Sequence, residues 1–119
     1  MTLINLRHFL RAGLYSLDGL KRAWIGEQAF RHEVLVLVCI PFLLFVFRPG
    51  AGWCAAAVAG WLLVMALELL NSAIEESFDL ITREQNIHVK YGKDMASAAI
   101  LLGLIANGVL WICLLISVY

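Results

Sequence analysis

Charge is what this chain has least of. Only 15% of its 119 residues are Asp, Glu, Lys or Arg, where a soluble domain carries about 25%. Nine acidic and nine basic residues cancel, so no net field points to a nucleic acid. Cysteine is sparse as well. Cys39, Cys54 and Cys113 stand far apart inside apolar runs. No CxxC or CxxxH spacing exists, which argues against a zinc site of that kind. The three are expected to be small buried apolar residues. Neither GxxxxGKS/T nor GxGxxG occurs, so a nucleotide site here has to be of another design. The first 33 residues hold five Lys/Arg and no apolar core, so no cleavable signal peptide is expected.

What is abundant is apolar sequence. Hydrophobic residues make up 62% of the chain, against about 45–50% in soluble domains. This composition predicts a small all-α integral membrane protein with a single domain. Three uncharged runs stand out: 34–47, 50–67 and 95–119. The second and third are long enough to span a bilayer. The first is short, and becomes sufficient if its helix starts near Gln28 with charged side chains snorkelling at the headgroups. Pro41 is tolerable inside such a helix. Arg48-Pro49-Gly50-Ala51-Gly52 reads as a tight turn. The predicted spans are 28–47, 53–81 and 95–118, with a polar connection over 82–93.

Residues 1–26 read differently. Leu6, Leu10, Leu14, Leu17, Leu20 or Lys21, and Trp24 recur every three or four positions, and Arg7, Arg11, Asp18 and Arg22 lie off that stripe. This is the pattern of an amphipathic helix lying at the membrane surface. Gly13, Gly19 and Gly26 interrupt it and allow a bend or two pieces.

Counting Lys and Arg orients the chain. Arg7, Arg11, Lys21, Arg22 and Arg31 precede the first span, and Arg83, Lys90 and Lys93 separate the second from the third. With three spans these share one side, and only Arg48 lies on the other. The positive-inside rule then puts the N-terminus and second loop in the cytoplasm and the C-terminus outside.

The most informative stretch is ELLNSAIEESFD, Glu68–Asp79. If the second span continues through it, Glu68, Asn71 or Ser72, Glu75 and Asp79 share one helix face. Glu68 and Glu75 would stand about 10.5 Å apart along the axis. Carboxylates at a membrane boundary are costly and usually functional. Glu27, the Glu68–Glu75 stripe and the Lys93-Asp94 pair converge on one membrane face. Two carboxylates with phosphate oxygens suit Mg²⁺, a lysine neutralises phosphate, and a deeper carboxylate suits a base for an interfacial hydroxyl. From spacing alone, a kinase for a lipid alcohol and a proton-coupled transporter using Glu68 both remain open.

Three segments break that tie. ELLNSAIEESFDLI at 68–81, YGKDMASAAILL at 91–102 and AWIGEQAFRHE at 23–33 resemble the signatures of the bacterial diacylglycerol kinase family, in order over nearly the whole chain. The surface-helix pattern AGLYS and GLKRAWIGEQAFR resembles the proteobacterial branch, with the undecaprenol kinases of the same family, which share the ELLNSAIE-type motif, as the alternative. The resemblance implies a homotrimer of three-span subunits in the bacterial inner membrane, with active sites shared between neighbours and no other protein partner. It implies transfer of a phosphoryl group from MgATP to diacylglycerol. It assigns Glu68 as catalytic base with Asn71 supporting it, and Glu27 and Glu75 as metal ligands. Around ATP it puts His8, Tyr15, Lys93 and Asp94, together with the two metal glutamates. Near the lipid it puts Arg22, Trp24, Phe30, Glu33 and Ser97, together with Glu68. Two departures stand out. His8 replaces an arginine of the enteric branch, with Arg7 adjacent. Gln85-Asn86 replace a tyrosine-histidine pair that contacts nucleotide, with His88 close by as a substitute.

Overall fold

The computed structural model describes residues 3–119, with side-chain surroundings from residue 5 onward. The first two residues of the 1–26 segment lie outside that range. Four helices follow one another: α1 (Leu3–Gly26), α2 (Gln28–Phe47), α3 (Ala51–Ile81) and α4 (Ile87–Val118). α2, α3 and α4 are long and apolar enough to cross a membrane. α1 is a single helix through Gly13 and Gly19. The break comes only at Glu27, whose φ of −118° and ψ of 109° are extended.

Each boundary has a local cause. α2 runs through Pro41 and stops at Arg48, which adopts left-handed geometry (φ 52°, ψ 51°). Its N–H returns to the Leu44 carbonyl at 2.9 Å, and its guanidinium lies over the Phe45 ring. α3 continues unbroken into the acidic stripe because no Gly or Pro occurs between Leu62 and Ile81. At 1.5 Å per residue it is about 46 Å long, so it outreaches a hydrocarbon core of roughly 30 Å. It ends at extended Thr82.

The polar connection is shorter than the sequence suggests. α4 begins at Ile87 rather than near Met95, leaving only 82–86 between helices. Asn86 caps it, its Oδ1 accepting from the His88 N–H at 2.8 Å. A Lys90–Asp94 pair one turn apart, at 2.6 Å, suits a helical turn in water. Lys93 and Asp94 therefore sit on a helix, where their directions are fixed.

Packing centres on α3. Ile40, Ala57 and Leu114 form one buried cluster of α2, α3 and α4, and Ala23, Phe30 and Met65 form another at the α1–α2 elbow. In lipid such contacts rely on close packing and interhelical hydrogen bonds. Asn107 supplies one, its Nδ2 donating to the Gly60 carbonyl at 3.0 Å. Gly103 supplies close approach: a Cβ there would meet Leu67 Cδ1 at 2.8 Å. The cysteine expectation needs correcting. Cys39 and Cys113 are exposed and Cys54 only partly buried. In a membrane helix an apolar neighbourhood does not imply an inward-facing side chain.

Candidate active site

α3 carries the site. Glu68 and Asn71 are buried, each about 9% exposed, and Glu75 one turn further is half-buried. The Asn71 Nδ2 points along the stripe to Glu75 Oε1 at 3.4 Å. α2 adds a fourth polar group from the facing side. Glu33, also 9% exposed, brings its carboxyl within hydrogen-bonding reach of Glu68. The Glu33 backbone is tethered across the helix contact by the Trp61 indole, whose Nε1–H donates to its carbonyl at 2.8 Å. Glu27 enters from the elbow. Its carboxylate and that of Glu75 act on Glu68 as like-charged neighbours.

Four carboxyl groups therefore gather at the point where α3 passes the start of α2. Among the described residues, no Lys or Arg forms an ion pair with any of them; the two ion pairs present join Lys90 to Asp94 and Lys93 to Asp79. Buried negative charge requires a compensating cation or proton. Glu33 Oε2 and Asn71 Oδ1 are moreover buried without a hydrogen-bond partner. Such orphans are expensive unless an incoming group satisfies them. No set of three or more His, Cys, Asp or Glu among the described residues could hold a metal alone. One or two of these carboxylates would suit Mg²⁺, which completes its shell with water and phosphate oxygens.

Lys93 reaches the same end of the molecule from α4. Its Nζ contacts Asp79 Oδ1 at 3.2 Å, one turn beyond Glu75 on α3. Asp94 is turned to Lys90 instead. Lys90, Lys93 and Asp94 edge an open recess of about 630 Å³, also lined by Arg83, Gln85 and Asn86. Asn86 Oδ1 is occupied by the α4 cap, and His88 is exposed.

The remaining candidates are more scattered. His8, Tyr15, Arg22 and Trp24 lie exposed on α1, and Ser97 is exposed on α4. No hydrogen bond among the described residues joins them to the carboxyl cluster. Phe30 is 4% exposed and packs into the elbow core with Ala23 and Met65. Two contributors escape a reading of the sequence. Trp61 sits in an apolar run like any spanning residue, and nothing in its spacing marks Glu33 as its partner. Arg31 reads only as a cytoplasmic charge, yet its Nη1 donates to the carbonyls of Trp24 and Ile25 at 2.9 and 3.0 Å.

Comparison with known proteins gives the family. A relative from Pseudomonas aeruginosa named diacylglycerol kinase is 42% identical over 116 residues, covering 95% of this chain and 92% of its own. One of the same name from Helicobacter pylori is 40% identical over 116 residues, 97% of this chain and 90% of its own. One from Escherichia coli is 40% identical over 108 residues, 91% and 88% respectively. Residues 14–115 match the prokaryotic diacylglycerol kinases as a family. With the match spanning α2, α3 and all but the end of α4, the chain belongs to the prokaryotic diacylglycerol kinase family.

Proposed function

We propose that the chain is a membrane lipid kinase that transfers the γ-phosphoryl group of MgATP to the free hydroxyl of 1,2-diacylglycerol, giving phosphatidic acid and ADP. The observation that carries this reading is that Glu27, Glu33 and Glu75 all lie close enough to act on buried Glu68, where the uncharged run of α3 gives way to its acidic stripe. A lipid lying with its tails in the bilayer presents its hydroxyl there.

Glu68 accepts the hydroxyl proton as the new oxygen–phosphorus bond forms, and the bond from the γ-phosphorus to the bridging oxygen of ADP breaks. Asn71 holds the stripe through its contact with Glu75. Glu27 and Glu75 are the carboxylates suited to hold Mg²⁺, which when bound neutralises charge on the phosphates. Lys93 adds a positive point charge at the recess beside them. Phosphoryl transfer asks mainly for positioning and charge neutralisation, which a small chain can supply. Tyr15, His8 and Asp94 are assigned to the nucleotide; Arg22, Trp24, Phe30, Glu33 and Ser97 to the lipid and its surroundings.

The setting follows from the same reading. α1 lies on the cytoplasmic surface of the bacterial inner membrane, the acidic stripe faces the cytoplasm, and Tyr119 lies in the periplasm. Three chains assemble, as the resemblance to the family implies, and one small three-span chain is too little to enclose both substrates. The test is phosphate transfer from labelled ATP to a lipid extract in detergent. Labelled phosphatidic acid on a thin-layer plate is the expected product. Labelled undecaprenyl phosphate would assign the chain to the other branch of the family, and no lipid product would overturn the kinase reading.

A further inference from the structure

We propose that Arg31 is a positioning residue for Glu27, strapping the α1–α2 elbow so that the Glu27 carboxylate stays aimed at the site. The inference rests on the reading of Glu27 as a metal-holding carboxylate. Glu27 is the sole extended residue between two helices. Its side-chain direction therefore depends on the angle at which α1 meets α2. A helix end leaves its last carbonyls without intrahelical partners, and α1 has no basic residue in its own last turn to serve them. The Glu27 N–H returns to the Ala23 carbonyl at 2.8 Å. The next two carbonyls, of Trp24 and Ile25, are taken by Arg31 Nη1 at 2.9 and 3.0 Å. The cap of α1 thus comes from the first turn of α2 and reaches back across Glu27.

Arg31 follows Glu27 by one turn, the spacing at which opposite charges ordinarily pair. Among the described residues no ion pair joins them. The guanidinium is directed to backbone carbonyls, and the Glu27 carboxylate is left for a cation. The elbow has an apolar half too, in the contact of Ala23 with Phe30 and Met65. That contact closes the elbow without fixing its rotation; a planar donor group held to two successive carbonyls fixes it.

The competing explanation is that Arg31 is one more cytoplasmic positive charge. Arg31→Lys separates the two, since it keeps the charge but its ammonium sits one bond short of Nη1 and lacks the fixed planar donors that reach both carbonyls. The full-length protein in detergent is titrated with Mn²⁺ in the presence of a non-hydrolysable ATP analogue. The free Mn²⁺ signal is followed by electron paramagnetic resonance, so binding is read without turnover. Substituting a residue that orients a metal ligand commonly weakens metal binding by about 10–100-fold. A loss of that order is expected for Arg31→Lys and Arg31→Gln. Glu27→Gln should weaken Mn²⁺ binding as well, and adding Arg31→Lys to it should weaken binding no further. Wild-type affinity in Arg31→Lys would overturn the strap, as would a loss that persists undiminished on top of Glu27→Gln. Unchanged Mn²⁺ binding in Glu27→Gln alone would instead remove the metal assignment of Glu27 itself. Because Arg31→Lys retains the topogenic charge, it remains readable if Arg31→Gln fails to insert.

Discussion

Exchanging one carboxylate oxygen of Glu68 for an amide nitrogen separates its chemistry from its packing. Glu68→Gln is nearly isosteric and keeps a hydrogen-bonding oxygen toward Glu33, so the helix contact should survive. It removes the proton acceptor, and loss of a general base typically lowers rate by about 10²–10⁴. Turnover of diacylglycerol at saturating MgATP should fall by that order, while nucleotide binding and particle size in detergent stay unchanged. Glu68→Asp should also be severely impaired, because a carboxylate withdrawn by one methylene is misplaced in a site that tolerates little movement. Near-normal turnover in Glu68→Gln would falsify the catalytic assignment. Glu27 and Glu75 should behave otherwise. Glu27→Gln or Glu75→Gln removes a metal ligand, so the Mg²⁺ concentration for half-activation should rise and part of the loss should return at high Mg²⁺ or with Mn²⁺. A metal dependence identical to wild type in both variants would mean that these carboxylates face something else.

At the level of helices, the contact between α3 and α4 sets where Lys93 stands relative to the acidic stripe. Gly103 is a close approach of α4 to α3, with Leu67 Cδ1 2.8 Å and Val64 Cγ2 3.5 Å from where a Cβ would lie. Gly103→Leu should therefore wedge the helices apart, at an overpacking cost of about 1–3 kcal/mol. Thermal inactivation in detergent should come earlier. Gly19→Ala in α1, where nothing lies within 4 Å, should be neutral or stabilising, by up to about 1 kcal/mol of helix propensity. Equal thermal stability of Gly103→Leu and wild type would show that the interface is looser than its geometry. The helices themselves were readable in the sequence because apolar runs and their breakers are local features. The span 28–47 coincides with α2, and the stripe Glu68–Asp79 continues α3 as its spacing requires. The start of α4 was not readable in this way. Polar composition over 87–93 suits a loop and a solvated helical turn equally, and the decision falls to the Asn86 cap. The site was half legible for the same reason. Glu68, Asn71 and Glu75 share a face by periodicity alone. The approach of Glu33 depends on the pairing of α2 with α3 and on the Trp61 tether, which no local pattern encodes. The outward-facing cysteines mark the same limit, since hydropathy does not distinguish lipid from bundle.

For the whole molecule, the first question is which ends share a side. The eight Lys/Arg on one side against Arg48 on the other predict a reporter fused after Tyr119 to be periplasmic and one inserted in 82–86 to be cytoplasmic. A cytoplasmic C-terminus would overturn the three-span arrangement. The second question is how many chains make one site. Within a single chain His8 and Tyr15 project from exposed positions on α1 with no hydrogen bond to the carboxyl cluster. Their place is explained if α1 of one chain serves the cluster of its neighbour in a closed ring of three. Cyclic assembly makes every such contact equivalent. Native mass measurement in mild detergent should then give three chains. The sharper measurement mixes two damaged proteins, Tyr15→Leu and Glu68→Gln, under conditions where subunits exchange. If each site takes its cluster from one chain and α1 from another, about a quarter of the sites in a random equal mixture combine two undamaged parts. Activity should therefore rise above the mean of the two parent proteins, toward about a quarter of wild type if neither parent retains turnover. If cluster and α1 belong to the same chain, every site in the mixture carries one lesion. Activity then stays at the parental mean however completely the subunits exchange, and the shared-site arrangement is excluded.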